Sequence, residues 1–290
     1  MQDKTALAAA GFQLSQKVKW PHTLNEWDIM TRTGTVLSTG SDAECYATAV
    51  LTPHSWGTTL GMVLVDPAKR KMGLGTGITK LAINISEEFN AGAIALTASP
   101  AAEALYTRLG FIQIGALAVL KRPETAPIQQ AAREETKLAC SGREISDSFY
   151  GGCPSYASIL DAMTASAPLS IVERNPDGSL SGFLSSIIRG SAETSETLAI
   201  GPIVAQSEDI AEKIVGRLSL ACSKAMTCFV LHGCAGEGSS TTTARQNIIK
   251  TFNRNGFTQH DLLKLMSLRG ELVLPYLSRN LIAPVSLALG

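Results

Sequence analysis

The chain has 290 residues and a mass of 30.6 kDa, which is enough for two modest domains with their own hydrophobic cores. Twenty-five basic and twenty-five acidic residues give a formal net charge of zero, which excludes a strong overall field for nucleic acid or an anionic membrane. The apolar runs are too short for a membrane span, and Met1 to Lys4 is not followed by a signal-type apolar core, so we expect a cytoplasmic protein without nucleic-acid or membrane partners.

The segment from Trp20 to Asp28, WPHTLNEWD, is rich in aromatic and ionisable residues. Thr23, with Glu26 three residues later, is typical of a capping box at the start of a helix. Two interpretations of the ionisable residues stay open. His22, Glu26 and Asp28 either line a substrate pocket, or the tryptophans pack in the core while each charge is solvated.

A hairpin is predicted after this helix. Strand-like runs at 35–38 and 43–51 are joined by a turn over 39–42, and they provide the antiparallel part of a sheet. His54 follows in a predicted loop, where it either reaches a cleft or stays on the surface.

The stretch from Leu60 to Gly75, LGMVLVDPAKRKMGLG, predicts a strand, a basic turn and the start of a helix. The apolar run ends at Asp66, before Pro67. Cations and glycines follow it: Lys69, Arg70, Lys71, Gly73 and Gly75. An apolar pattern of helical period then begins at Ile78.

This turn has the features of a phosphate site. Glycines let backbone amides approach an anion, and the first N–H groups of a helix are unpaired at the positive end of its dipole. The spacing Gly73-x-Gly75-x-Gly77 does not match the dinucleotide fingerprint, and neither this turn nor the glycine-rich stretch 233–239 contains the lysine of a P-loop. A plain turn between strand and helix remains the alternative.

A second strand and helix are predicted over 93–111. The run 93–98 is typical of a short buried strand; Ser99 is a candidate N-cap, Pro100 a first helical residue and Gly110 a C-terminal glycine.

Together these motifs resemble the GNAT superfamily of acetyltransferases. Arg70-x-x-Gly73-x-Gly75 is similar to the family's pyrophosphate signature, and Leu105-Tyr106-x-x-x-Gly110-Phe111 is similar to the segment that places a tyrosine near the cofactor's thioester sulfur. The resemblance implies an α+β GNAT acyl-CoA N-acyltransferase fold with a mixed sheet. It also implies acetyl-CoA as co-substrate and Tyr106 as general acid. No metal is expected, because the spacing of Cys228, His232 and Cys234 matches no metal-ligand pattern. The residues expected at the cofactor are Val63, Leu64, Val65, Arg70, Lys71, Met72, Gly73, Leu74, Gly75, Thr76 and Tyr106.

The chain then repeats itself. After a Pro, Ala, Gln and Glu-rich linker with a predicted helix over 129–138, the pattern around Gly61 recurs at Gly201, and Gly110-Phe111 recurs as Gly256-Phe257. We therefore predict three segments: a GNAT domain over 1–122, a linker over 123–147, and a degenerate GNAT-like domain over 148–290 that covers the acceptor site.

The second copy differs at its turn, where Glu208 and Asp209 replace cations and glycines, so only the first copy is expected to bind the cofactor. The Trp20–Asp28 segment and the carboxy-terminal residues resemble a GNAT subgroup with an extra domain. In that subgroup His22 and Glu26 are candidates for the general base or the acceptor pocket, beside Asp28, His54, His232 and Glu237.

Three functions are consistent with this sequence: acetyl transfer to the amine of a small molecule, a catalytically silent sensor of CoA or acetyl-CoA, and acetylation of protein lysines. An enclosed acceptor site favours the first. The sequence indicates neither the acceptor nor the oligomeric state.

Overall fold

The computed structural model describes residues 3–41, 44–88, 92–125, 140–191, 194–269 and 280–284. The predicted linker helix over 129–138 lies outside these residues.

Eight helices are present in the described part of the chain. They are α1 (Lys4–Lys17), α2 (Leu24–Thr33), α3 (Leu74–Glu88), α4 (Glu103–Arg108), α5 (Gly142–Phe149), α6 (Pro154–Ala165), α7 (Glu208–Ala221) and α8 (Ser239–Arg254).

Eleven strands of the described residues form one mixed sheet. They are β1 (Thr35–Ser41), β2 (Glu44–His54), β3 (Gly57–Val65), β4 (Ala93–Ala98), β5 (Ile112–Arg122), β6 (Ser170–Arg174), β7 (Leu180–Ser191), β8 (Thr194–Ala205), β9 (Met226–Cys234), β10 (Thr258–Leu268) and β11 (Leu281–Ala283). Their order is β1-β2-β3-β4-β10-β5-β9-β8-β7-β6, and β11 pairs with β8.

The order of elements confirms the predicted internal repeat. Each half contains two helices, three antiparallel strands, a helix, a strand, a helix and a last strand. The third and fourth strands of each half are parallel, β3 with β4 and β8 with β9.

The last strands of the two halves exchange places. β10, from the second half, lies between β4 and β5, and β5 pairs with β9 of the second half. The domain ranges 1–122 and 148–290 therefore stay a prediction. They describe the repeat in the sequence, whereas in the sheet the strands of the two ranges interleave.

Helices α1 and α2 pack over the first half because their apolar side chains face the sheet and α6. Trp27 is fully buried, and its ring lies so close to Gly11 that a Cβ there would be 2.4 Å from the ring carbons. Thr23 and Glu26 form the predicted capping box at the start of α2. One core cluster joins Trp27 and Met30 of α2 to Tyr156 and Ile159 of α6, so the two halves share buried apolar surface.

Candidate active site

The site begins where β3 and β4 separate. These parallel strands pair only from Gly57–Thr59 to Ala93–Ala95, and Thr59 is the last paired residue of β3. Further along β3 its register with β2 shifts, so that Met62 and Val63 together lie opposite Ala49, and Met62 has a φ of +49°. This β-bulge bends β3 away from β4 and opens a wedge-shaped gap between the two strands.

The predicted basic turn lies at the open end of this gap. Lys71 and Gly73 both have positive φ angles, 64° and 80°. The amide of Gly77 makes the first intrahelical bond of α3, to the carbonyl of Gly73 at 2.9 Å. Three amides come before that bond in the chain and have no carbonyl partner within the helix: those of Leu74, Gly75 and Thr76. They are therefore the donors that an anion at the helix start would use.

Two lysines stabilise the turn, and one of them, Lys69, also lines the cavity described below. Lys17 of α1 forms ion pairs with Asp66 at 2.9 Å and with Glu44. Asp66 also accepts a hydrogen bond from the amide of Ala68 at 2.8 Å, and the bond from Lys17 holds the pKa of this carboxyl below its usual range. The ammonium of Lys69 lies 4.9 Å from the ring centroid of Tyr46. Arg70 and Lys71 are exposed beside the helix start.

A cavity of about 480 Å³ lies at the open end of the gap, lined by the last residues of β3, the basic turn and α4. All of the predicted cofactor residues line it except Met72, which is 68% exposed. The cavity has further walls that were not predicted as cofactor residues: Val18, Trp20, Lys69, Ser99, Ala101, Ala102 and Leu105. Lys69 and Leu105 belong to the predicted basic turn and tyrosine motif, whereas no motif indicated Val18, Ala101 or Ala102.

Tyr106 lies on α4 and lines the same cavity. Its ring packs edge-on against Phe111, with centroids 5.8 Å apart. Burial raises the pKa of the phenol, which keeps it protonated at neutral pH and able to donate a proton. The predicted start of this helix at Pro100 was wrong: residues 100–102 form a turn, and α4 begins at Glu103 without a side-chain cap. Gly110, with a φ of +90°, ends the helix as predicted.

His22 and Glu26 form a buried polar cluster next to Trp20. Glu26 accepts two hydrogen bonds from Arg189 of β7, at 2.8 and 3.0 Å, and both side chains are buried. Burial opposes ionisation, yet the Arg189 guanidinium holds the pKa of Glu26 below its usual range. This pairing favours a positioning role for Glu26 over proton abstraction, because an ion-paired carboxylate is a weak base.

The imidazole of His22 is only 4% exposed, and neither ring nitrogen has a hydrogen-bond partner among the described residues. Burial, together with the charge of Arg189, lowers its pKa to about 4. The ring is therefore neutral at physiological pH and has a free lone pair. Its stacking on Trp20, with centroids 5.7 Å apart, places it behind a wall of the cavity.

The structure separates the remaining base candidates. Asp28 is half-exposed and pairs with Arg32 at 2.7 Å, which agrees with the predicted alternative in which its charge is solvated. Glu237 is held by Arg245 at 2.6 Å and accepts a hydrogen bond from the amide of Cys234, so it is not available as a base. His54 is the last residue of β2 rather than a loop residue, and it packs between aromatic rings. His232 lies on β9 of the second half.

The second half has the same gap, but its own chain fills it. β8 and β9 pair only from Leu198 to Ile200, and beyond that point β11 pairs with β8. Ile282 and Ala283 are buried between residues of both strands. At the equivalent turn Ser207 caps α7, and Glu208 and Asp209 occupy its first turn, as the sequence indicated.

The described residues contain no group of three or more His, Cys, Asp or Glu side chains that could hold a metal ion. Within the same residues, no helix is long and apolar enough to cross a membrane.

The first half combines a gap between two parallel strands, a bulge and a basic turn at a helix start, and the second half repeats the gap without the basic turn. Comparison with known proteins identifies the class. Residues 44–121 match the family described as Acetyltransferase (GNAT) domain. The chain contains a GNAT acetyltransferase domain, within a tandem GNAT-like fold.

Three relatives illustrate the extent of the similarity. The uncharacterized N-acetyltransferase YitH of Bacillus subtilis (strain 168) is 28% identical over 169 residues, which is 56% of this chain and 56% of that protein. The alignment thus spans little more than half the length of that curated relative. A putative acetyltransferase from Pyrococcus horikoshii has a TM-score of 0.69 at 16% identity, covering 100% of this chain and 95% of that one. A tandem GNAT protein from the clavulanic acid biosynthesis pathway has a TM-score of 0.58 at 12% identity, covering 92% and 95%.

Proposed function

We propose that the chain transfers an acetyl group from acetyl-CoA to the amine of a small-molecule acceptor. The observation on which this rests is the cavity between β3 and β4, because it joins an unpaired strand edge to the amides at the start of α3. Of the acyl carriers, a coenzyme A thioester matches this shape: its diphosphate suits the helix start, and its amide-containing arm suits a strand edge.

The second half supports this proposal by analogy within the same molecule. There β11, an extended peptide, occupies the corresponding gap and pairs with β8, with Leu281 opposite Val204. A gap of this geometry therefore accommodates an extended chain with peptide-like hydrogen bonds. In the first half, the edge of β3 from Leu60 to Val65 is proposed to pair with the amides of the pantetheine arm in the same manner.

The proposed chemistry uses residues at the inner end of the cavity. The amine nitrogen attacks the thioester carbonyl, the C–S bond breaks, and the departing thiolate takes a proton. Tyr106 is the proposed donor, since it lines the cavity and stays protonated at neutral pH. His22 and Glu26 are proposed on the acceptor side: His22 with its free lone pair, and Glu26 as the residue that fixes the start of α2.

The small size of the proposed acceptor is supported by the second half. Arg189 of β7 binds Glu26, and the amide of Gly190 donates to the carbonyl of Pro21 at 3.3 Å, so the loop before α2 is covered from that side. A covered site suits a small amine better than a lysine on a folded protein.

Isothermal titration with CoA and acetyl-CoA, followed by free-thiol release with a panel of small amines and lysine peptides, tests the proposal. We expect binding of both nucleotides and thiol release with at least one small amine. Absence of binding would refute the cofactor assignment. Binding without turnover would favour the sensor, and turnover restricted to peptides would favour lysine acetylation.

Tyr106→Phe tests the proposed acid, because phenylalanine preserves the packing on Phe111 and removes only the hydroxyl. We expect kcat to fall by roughly 10²-fold while the Kd for acetyl-CoA stays the same. Unchanged turnover would show that the hydroxyl is not the proton donor.

A further inference from the structure

Thr59 lies at the inner end of the gap, and its side chain faces away from α3. It is the last residue of β3 that pairs with β4, opposite Ala95. The neighbouring Thr58 faces the other side of the sheet, where its hydroxyl lies 3.2 Å from that of Ser86 on α3. Since side chains alternate along a strand, Thr59 faces the side on which α2 and α6 pack.

Among the described residues, the imidazole of His54 is the polar group found within hydrogen-bond distance of the Thr59 hydroxyl. Nε2 of His54 lies 3.1 Å from Oγ1 of Thr59 across the β2–β3 hairpin. The imidazole ring stacks on Trp56, with centroids 4.9 Å apart and planes at 7°, and its other neighbour is Tyr156 of α6 at 5.1 Å. These rings fix the orientation of His54, and one of them belongs to the second half.

A second cavity, of about 590 Å³, lies on the far side of His54. It opens at the edge of the sheet where β2 turns into β3, and Ser55, Trp56 and Arg32 are among its walls together with His54. Arg32 is its charged wall residue, and its guanidinium is paired with Asp28. The imidazole thus has Thr59 on one side and a surface cavity that admits water on the other.

We propose that Thr59 and His54 form the exit path for the proton that an ammonium acceptor loses on acetylation. The inference rests on the proposed function. An acceptor R–NH3⁺ gives two protons when it becomes an amide: one replaces the broken C–S bond on the thiolate, and the other must leave for solvent. The products are the acetylamide, CoA with its thiol protonated, and one free proton.

The proposed path has three transfers, and the contact between Thr59 and His54 carries the middle one. Oγ1 of Thr59 accepts a proton from the acceptor nitrogen and gives its own to Nε2 of His54. In the tautomer protonated on Nδ1, the ring releases that other proton to water in the second cavity. Burial lowers the pKa of His54 to about 3, so the ring is neutral before the transfer and its Nε2 lone pair is available to the Thr59 hydroxyl at 3.1 Å.

Thr59→Val and Thr59→Ser test the path with little change in volume. With acetyl-CoA and an accepted amine, we expect Thr59→Val to lower kcat by roughly 10²-fold and Thr59→Ser to retain most of the activity. The Kd for acetyl-CoA stays unchanged in both variants. Ser86→Ala is the control, because it removes a hydroxyl from the opposite face of the sheet at a residue that lines neither cavity, and its kcat is expected to match the wild type.

His54→Ala tests the second step. We expect a comparable loss of kcat that added imidazole restores in part, which loss of packing alone would not allow. Wild-type kcat in Thr59→Val, or an equal loss in Ser86→Ala, would overturn the path while leaving the proposed function intact. A wild-type protein that binds acetyl-CoA and acetylates no amine would instead refute the function, and the path with it.

Discussion

Lys71 and Gly73 show how single residues shape the proposed anion site. Both have backbone conformations in the left-handed region. For a residue with a Cβ this conformation costs about 1–2 kcal/mol, so Lys71 is strained, whereas Gly73 is not. Strain of this kind is concentrated at functional sites, and alternating backbone conformations direct successive amides toward one point. The positive φ of Gly73 is thus the physical reason for glycine at that position.

Gly73→Ala and Gly77→Ala are expected to have opposite effects. No atom lies within 4 Å of an added Cβ at either position, so the two variants differ only in backbone conformation. Gly73→Ala should destabilise the left-handed turn by about 1 kcal/mol and weaken acetyl-CoA binding by roughly tenfold. Gly77→Ala, inside α3, should stabilise the protein by about 0.5–1 kcal/mol and leave binding unchanged. Denaturant unfolding and isothermal titration measure the two effects; equal affinities in both variants would contradict the assignment.

At the scale of elements, β11 explains why only one of the two gaps is open. It is three residues long, and it pairs with β8 where β8 leaves β9. Arg245, which is buried and paired with Glu237, donates a hydrogen bond to the carbonyl of Leu281 at 3.1 Å. The second half therefore lacks a cofactor site for two reasons: its turn is acidic, and its gap is filled.

Ile282→Ala tests whether β11 is a fixed part of the second half. Ile282 is buried in the core beneath β8 and α7. Its truncation should lower the free energy of unfolding by about 2–4 kcal/mol, through lost burial and a cavity, without changing the Kd for acetyl-CoA. Leu220→Ala, at a position that is 65% exposed, is the control and should cost less than about 0.5 kcal/mol. A second mole of CoA bound by Ile282→Ala would show instead that β11 covers a functional site.

The sequence predicted those elements whose signals are local. The strand over 60–65, the basic turn, the capping box at Thr23 and the ending of α4 at Gly110 all depend on residues within a few positions, and the structure confirms them. The repeat was visible because its spacing is nearly constant. The insertion of β10 between β4 and β5, the role of β11, and the contact of His54 with Thr59 depend on pairing between distant segments, which no local pattern contains.

At the scale of the whole molecule, the exchange of β5 and β10 makes each half depend on the other. β10 pairs with β4 on one side and β5 on the other, so removal of either half would leave unpaired strand edges. The core cluster shared by α2 and α6 adds buried apolar surface between the halves. We expect the chain to unfold as one cooperative unit for this reason.

The ion pair of Glu26 and Arg189 joins the halves beside the proposed acceptor site. Its side chains are 1% and 7% exposed. Arg189→Met should destabilise the protein by about 3–5 kcal/mol, because it leaves a buried carboxylate without its partner. Adding Glu26→Gln to this variant should restore most of the lost stability, since glutamine is neutral and still completes the capping box at Thr23. Chemical denaturation of the two single variants and the double variant measures this coupling, and additive losses would contradict it.

The same cluster predicts how stability depends on pH. Burial and Arg189 lower the pKa of His22 to about 4 from a usual 6.5, so the unfolded chain binds a proton between these values that the folded chain does not. The contribution of His22 to stability is therefore full above pH 6.5 and falls as the pH drops toward 4, with a slope of up to ~1.4 kcal/mol per pH unit. The lowered pKa of Glu26 acts in the same direction, beginning only below its unfolded value of 4.5.

The variant His22→Gln tests this assignment. Its slope of stability against pH, between pH 6.5 and 4.5, should be smaller than that of the wild type by about the contribution of one proton. Some slope remains in the variant, because His54 still titrates on unfolding. Denaturant midpoints measured across this interval test the assignment, and parallel profiles for the variant and the wild type would show that His22 is not held neutral in the folded protein.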